Sequence, residues 1–416
     1  MNLVFSYICS VAIILCCSSV GMGKVNSAFA YGDSIAIVAW APCVDNDNPS
    51  ADDFEGLREC GFNTALIHGD ADMVDVACGY AESAGLRLIA GGTFLINPHK
   101  NEEFWKLKDR DVIHGWYLVD EPRYDRLKAY KRYNDSIRKI TPDKLVYINL
   151  IGTLNPAVTG RCKSIPEYLD TIQSLFNPQI WSYDYYPVSL KDRVVRVDYE
   201  RFYSDLEIFS KRSRDTGRPF WAFCQSMAFR NERVERPAAT LPFLRFEAFS
   251  ALAYGARGIV YWTYAQRVSK TEDFLSALVD TNGKRMPAWY AAKQVNEEIR
   301  LFNDIFINSS LVEYTHTGGI LSNMAYTMDG NVRIKSDGAG FLISHLRTDG
   351  VNYLVVVNHD VVSTQRVRVD MDNGCGAVLL EPSLKNSVIE IKESKILTSY
   401  TDEISPGGYL IMKIKQ

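Results

Sequence analysis

The sequence predicts an α/β protein: a (β/α)8 TIM barrel followed by a small C-terminal all-β sandwich domain. Three observations carry this. From Ile35 to about Phe306, short apolar runs alternate with longer amphipathic stretches, the pattern of repeated βα units. Eight such runs fall within roughly 270 residues, the size of a closed eight-stranded barrel. After Ile305 the helical period stops, and short alternating runs separated by turn signals replace it.

The expected barrel strands are Ile35 to Trp40, Asn63 to His68, Arg87 to Ala90, Val112 to Val119, Leu145 to Leu150, Gln179 to Tyr183, Phe220 to Cys224 and Gly258 to Trp262. Helices are expected at Asp52 to Cys60, up to Ala84-Gly85, and at Tyr124 to Ile140, Tyr199 to Arg214, Leu241 to Tyr254 and Ala288 to Phe302. A doubly wound open sheet would more often carry a glycine-rich phosphate turn after its first strand, but Trp40-Ala41-Pro42 stands there instead. The later strands are Val332 to Lys335, Gly340 to His345, Tyr353 to Asn358, Gln365 to Val369 and Ala377 to Leu380. The division that results is a signal segment over 1–30, the barrel over 31–306 and the sandwich over 307–416, the last packing against the barrel as a structural domain.

Composition bounds the function. A net charge of −4 offers no basic footprint for nucleic acid. No HExxH, P-loop or GxGxxG motif is present, and the cysteines have no metal-ligand spacing, so neither cofactor nor metal is implied. Six histidines with no HxH pair argue against a metal-dependent deacetylase or esterase. Aromatic residues make up 12% of the chain, which suits stacking on pyranose faces as well as ordinary core packing. Leu3 to Val20 is nearly all apolar, and Ala28-Phe29-Ala30 supplies small residues for signal cleavage. Export to the periplasm, the cell surface or the medium is the expectation. A lipoprotein attached through Cys16 or Cys17 and a retained anchor are the other two readings. Cys43–Cys78 and Cys60–Cys78 bridges are both compatible with the sequence, and neither can be deduced from it.

The chemistry concentrates at strand ends, where barrels build active sites. Asp120-Glu121-Pro122 ends the fourth strand; a carboxyl beside apolar rings there is desolvated, which suits a general acid near neutral pH. Asp184 follows the sixth strand, flanked by Tyr183 and Tyr186. Trp40 and Trp262 end the first and last strands as candidate sugar platforms, while His68, Asn149 and Gln225 are candidate partners for sugar hydroxyls. Glu247, inside a helix, is expected to pair with an arginine such as Arg245. Arg230 to Arg236 reads as a solvated mixed-charge loop, with contact to an acidic sugar as the alternative.

These residues carry a resemblance. Asp120-Glu121-Pro122 resembles the acid/base position of clan-A glycoside hydrolases. Leu244-Arg245-Phe246 with Ala251 through Trp262 resembles the late helix and eighth strand of β-galactosidase-like barrels, and Tyr353 through Asn358 resembles their accessory sandwich. The resemblance implies an Asp/Glu pair acting on the glycosidic bonds of an oligo- or polysaccharide, with Glu121 as acid and Asp120 orienting it or the substrate. The chain departs from the pattern at strand seven, where a retaining clan-A enzyme places its nucleophilic Glu: here the residue is Gln225, which cannot be a carboxylate nucleophile. Three readings stay open. Asp184 serves as base or nucleophile; or Asp120-Glu121 works as in substrate-assisted N-acetylhexosaminidases, with Gln225 on the acetamide; or the barrel binds carbohydrate without cutting it.

Overall fold

A computed structural model describes residues 34–45, 48–152, 162–269, 273–318, 326–328, 331–336, 340–372, 374–385 and 388–415. The signal segment, Cys16 and Cys17 lie outside the described residues. No helix among the described residues is long and apolar enough to cross a membrane.

Eight parallel strands close into a barrel: Ala36–Trp40, Thr64–His68, Arg87–Gly91, Ile113–Asp120, Leu145–Ile151, Trp181–Asp184, Phe220–Gln225 and Gly258–Trp262. Closure comes from the first strand pairing with the last, Ala36 opposite Gly258. Alternation sends Ala36, Val38, Leu66, Ile89, Tyr117, Tyr147, Trp221, Phe223 and Val260 into the lumen, with Trp40, Tyr186 and Trp262 packed on them. The other face of each strand meets the helices. Those helices start where side-chain oxygens can take the free N–H groups: Ser50 and Asp53 form a capping box, and Asp70, Ser164, Asp198 and Thr240 cap four more. Gly85 and Gly217 end two of them at φ 67° and 65°, a conformation that costs glycine little.

Helix Leu241–Ala253 is buried at most of its positions because the barrel covers one side and the β domain the other. Its Ala253 carbonyl accepts from Ser344 Oγ (2.7 Å), and Phe249 stacks on Tyr409 at 3.6 Å between centroids. The β domain is a sandwich of a six-stranded and a four-stranded antiparallel sheet around Ile334, Phe341, Leu354, Val356, Val367, Val369 and Met412. The strands Ser310–His316, Ser399–Ile404 and Tyr409–Lys415 were not anticipated from the sequence. The cysteines are corrected: Cys43, Cys60, Cys78, Cys162, Cys224 and Cys375 are free thiols, and neither candidate bridge forms.

The segments after barrel strands six to eight are not plain loops. Val188–Lys191, Val194–Val197, Ala228–Arg230, Glu235–Arg236 and Asp273–Ser276 make a five-stranded sheet at the C-terminal end of the barrel. Arg230 to Arg236, read as a solvated loop, is therefore part of an ordered wall.

Candidate active site

Strict alternation from Tyr117 would turn Asp120 away from the lumen. A bulge between Tyr117 and Val119 adds one residue to the fourth strand, so Tyr117 pairs with Tyr147 and Asp120 with Asn149. Both pairs share the inward row. Glu121 then takes φ 38°, a conformation L residues rarely adopt, held by its N–H donating to the Asn149 carbonyl at 2.9 Å.

Asn149 organises the carboxyls. Its Nδ2 donates to Asp120 Oδ1 at 3.0 Å and to Asp184 Oδ1 at 2.9 Å. Its Oδ1 accepts from Ser182 Oγ at 3.1 Å, and Ser182 lies 2.7 Å from the Tyr147 hydroxyl. Because Ser182 spends its proton on Asn149, Tyr147 is the donor to Ser182, and the chain fixes which way the amide faces. The Glu121 and Asp184 carboxyls lie near enough to influence each other. Desolvation, then the charge of Asp120, pushes the Glu121 carboxyl up to about 7, against a lowering effect of Asp184. Asp184 is raised well above the usual carboxylate range by desolvation and by Glu121 and Asp120. Asp120 reaches solvent at the rim yet is crowded by protein on its inner side; desolvation raises it, with Asn149 opposing. Neighbouring buried carboxyls cannot both ionise cheaply, so ionisation of the one disfavours that of the other.

The floor is aromatic. Trp40 meets Tyr117 at 5.0 Å and Phe223 at 5.4 Å between centroids, and Trp262 meets Tyr186 at 5.4 Å. His68 stands exposed at the end of the second strand, with its ring 5.9 Å from Tyr117. Gln225 ends the inward row of Trp221 and Phe223 and is 3% exposed. Its Nε2 donates to the Pro237 carbonyl at 3.2 Å, while its Oε1 is buried with no protein partner.

The structure thus brings together Trp40, His68, Asp120, Glu121, Asn149, Asp184, Tyr186, Gln225 and Trp262. It removes Tyr183. That ring lies on the outward face of the sixth strand, stacked on Phe209 of helix Tyr199–Thr216 at 4.0 Å and 2% exposed. Strand alternation explains this: Ser182 and Asp184 face in, so Tyr183 faces out. Glu247 is also corrected. Arg245 pairs with Glu298, whereas Glu247 Oε2 accepts from the Gln225 N–H at 2.8 Å. Ser182, Tyr117 and Phe223 were missed as parts of the floor, though the period-two rule applied to each strand would have placed them.

Residues 124–302 match the family model Glyco_hydro_42, described as Beta-galactosidase; the matched span begins past Glu121. A β-galactosidase from Bacillus circulans sp. alkalophilus is 10% identical with a TM-score of 0.56, over 92% of this chain and 99% of that one. A GH42 β-galactosidase from G. stearothermophilus is 9% identical with a TM-score of 0.55, over 92% and 98%. A β-galactosidase from the Antarctic haloarchaeon Halorubrum lacusprofundi is 10% identical with a TM-score of 0.50, over 91% and 99%. The chain spans only 60% of a further β-galactosidase, from the psychrophilic Marinomonas ef1. No match is found among curated proteins. At such identities the solved structures speak to the fold. Together they show an eight-stranded βα barrel with a C-terminal β domain, similar in fold to these β-galactosidases.

Proposed function

We propose that the protein hydrolyses glycosidic bonds in an oligo- or polysaccharide, with Glu121 as general acid and Asp184 as the second carboxylate. The observation that carries this is the carboxyl cluster gathered on Asn149 at the barrel mouth, which bonds Asp120, Asp184 and the Glu121 N–H, with the Glu121 carboxyl pushed up to about 7. A carboxyl that keeps its proton near neutrality can protonate a leaving oxygen. Asp184, oriented by Asn149, then acts as nucleophile or as base toward water. Gln225 offers its unpartnered Oε1 to a substrate donor, and Trp262, Tyr186 and Trp40 supply apolar faces for the sugar ring.

A second reading has its own support. Asp120 is held by Asn149 beside Glu121, so a substrate acetamide oriented by Asp120 would need no protein nucleophile at strand seven. The test is sugar release from matched plain and N-acetylated hexosides by the protein and by Asp184→Asn. Loss of all turnover in Asp184→Asn supports the first reading; cleavage confined to N-acetylated substrates and surviving in that variant supports the second. Glycan binding without any release would leave a non-catalytic barrel. We also propose that the apolar N-terminal stretch directs export, with lipidation at Cys16 or Cys17 as the alternative. The N-terminal residue of the protein recovered from its native host distinguishes these.

A further inference from the structure

Arg236 is a guanidinium with no ion-pair partner among the described residues. It lies in the wall sheet, 5.8 Å over the Tyr186 ring and 5.8 Å over the Phe229 ring. One of its terminal nitrogens donates to the Val188 carbonyl at 2.8 Å, while its Nε is buried and has no hydrogen-bond partner. A buried donor left unpaired is costly, so the side chain is held in this place against a penalty. The acidic groups that influence Arg236 are otherwise engaged. Glu247 accepts from the Gln225 N–H and keeps its proton near neutrality, because burial pushes it up to about 8. Asp198 accepts from the Tyr185 hydroxyl and caps helix Tyr199–Thr216.

The position of Arg236 ties it to the site. The Tyr186 hydroxyl is influenced by Asp184, Asp120 and Glu121, and by Arg236 as well, so the guanidinium and the carboxyl cluster share that ring. Both Tyr186 and Phe229 pack on Trp262, at 5.4 and 5.6 Å. Pro237, the next residue, accepts from Gln225. Along its strands and turns the wall carries Lys191, Arg193, Arg196, Arg230, Arg233 and Arg236 against Asp192, Glu232, Glu235 and Asp273, with Arg230 paired to Asp273, so it is net basic on a net acidic protein.

We propose that Arg236 anchors a subsite for an anionic sugar residue, carboxylate- or sulfate-bearing, whose ring lies on Trp262 and Tyr186. The planar fork of arginine matches both oxyanions, and the terminal nitrogen not engaged by Val188 is the donor that faces them. This rests on the glycosidase reading for its placement but not for its test. Equilibrium binding of the purified Glu121→Gln protein is measured with three probes of equal length: an oligogalacturonate, a sulfated galactan oligosaccharide and a neutral galactan oligosaccharide. At least one anionic probe binds about tenfold or more tightly than the neutral one, and Arg236→Gln reduces that affinity to the neutral level, whereas Arg236→Lys keeps part of it. Which anionic probe wins separates carboxylate from sulfate. No preference for either anionic probe, or a preference that survives in folded Arg236→Gln, overturns the subsite; should Arg236→Gln not fold, the comparison of probes decides alone. Sugar release by the unsubstituted protein is scored separately. Anionic binding without release would keep the subsite and sink the glycosidase reading, and release with no anionic preference would do the reverse.

Discussion

Asn149 stands between two carboxyl groups that would otherwise only repel. By donating to both Asp120 and Asp184 it favours their charged forms, against the desolvation that raises them. Glu121 has no such donor from Asn149, and the charge of Asp120 adds to its desolvation. Two predictions belong at this scale. Glu121→Gln keeps the shape and removes the acid, so turnover of natural glycosides falls by about 10²–10⁴-fold, with a smaller loss on activated aryl glycosides; equal loss on both sinks the assignment. The acid must carry its proton, so kcat/KM declines as pH rises through about 7. Asp120→Asn removes a charge that raises Glu121, and the alkaline limb of the pH profile then moves to lower pH. An unmoved limb would detach Asp120 from the acid.

At the scale of elements, helix Leu241–Ala253 reaches the seventh strand through a single carboxyl. Glu247 Oε2 holds the Gln225 N–H, and its Oε1 is buried with no partner. Burial raises this carboxyl from 4.5 to about 8, with the Gln225 N–H and Arg236 opposing. A raised carboxyl binds its proton more tightly in the folded state than in the unfolded one. The stability that proton confers is full below about 4.5 and is lost as pH rises through about 8. Glu247→Gln keeps the acceptor and cannot ionise, so its Tm loses this alkaline decline and exceeds that of the unsubstituted protein above pH ~8. Thermal melts across pH 5–9 check this. Glu247→Ala instead orphans the Gln225 N–H and costs about 1–3 kcal/mol.

At the scale of the molecule, the core outside the barrel strands runs on into the β domain, from Phe246 and Phe249 in the helix layer to Leu342, Val355 and Ile411, beside the sandwich's own interior. A buried polar chain crosses the same junction: the Tyr254 hydroxyl is 2.9 Å from His316 Nε2, and His316 Nδ1 is 3.1 Å from His359 Nε2. Desolvation lowers His316 to about 4, and it lowers His359 well below the usual histidine range, with His316 adding. The unfolded chain therefore binds protons that the junction refuses, and stability falls as pH drops from about 6.5 through about 4. His316→Gln flattens that acid slope in thermal melts. Tyr409→Ala removes the stack on Phe249 and costs about 3–5 kcal/mol. With that apolar junction shared, barrel and sandwich lose stability together in a single transition; two separate transitions would show that they unfold independently.

Apolar periodicity alone determined the barrel, because strands buried on both faces and helices buried on one leave unmistakable runs, and the eighth strand matches its reading residue for residue. It also placed Glu121, Asp184, Gln225 and Trp262 at strand ends, since that follows from where the runs stop. What it could not reach were the facts set by neighbours distant in sequence. The bulge that turns Asp120 inward depends on register against the fifth strand. Tyr183 and Asp184, adjacent in sequence, part company because one faces helix Tyr199–Thr216 and the other the lumen. Arg245 passes over nearby Glu247 for Glu298, 53 residues on, because packing of two helices brings that carboxylate to it. The loop carrying Arg236 becomes a wall only when strands from three separate βα connections pair. A sequence records how far each residue prefers water; which groups then meet, and so which proton is held and which charge is left without a partner, is decided by the closed barrel.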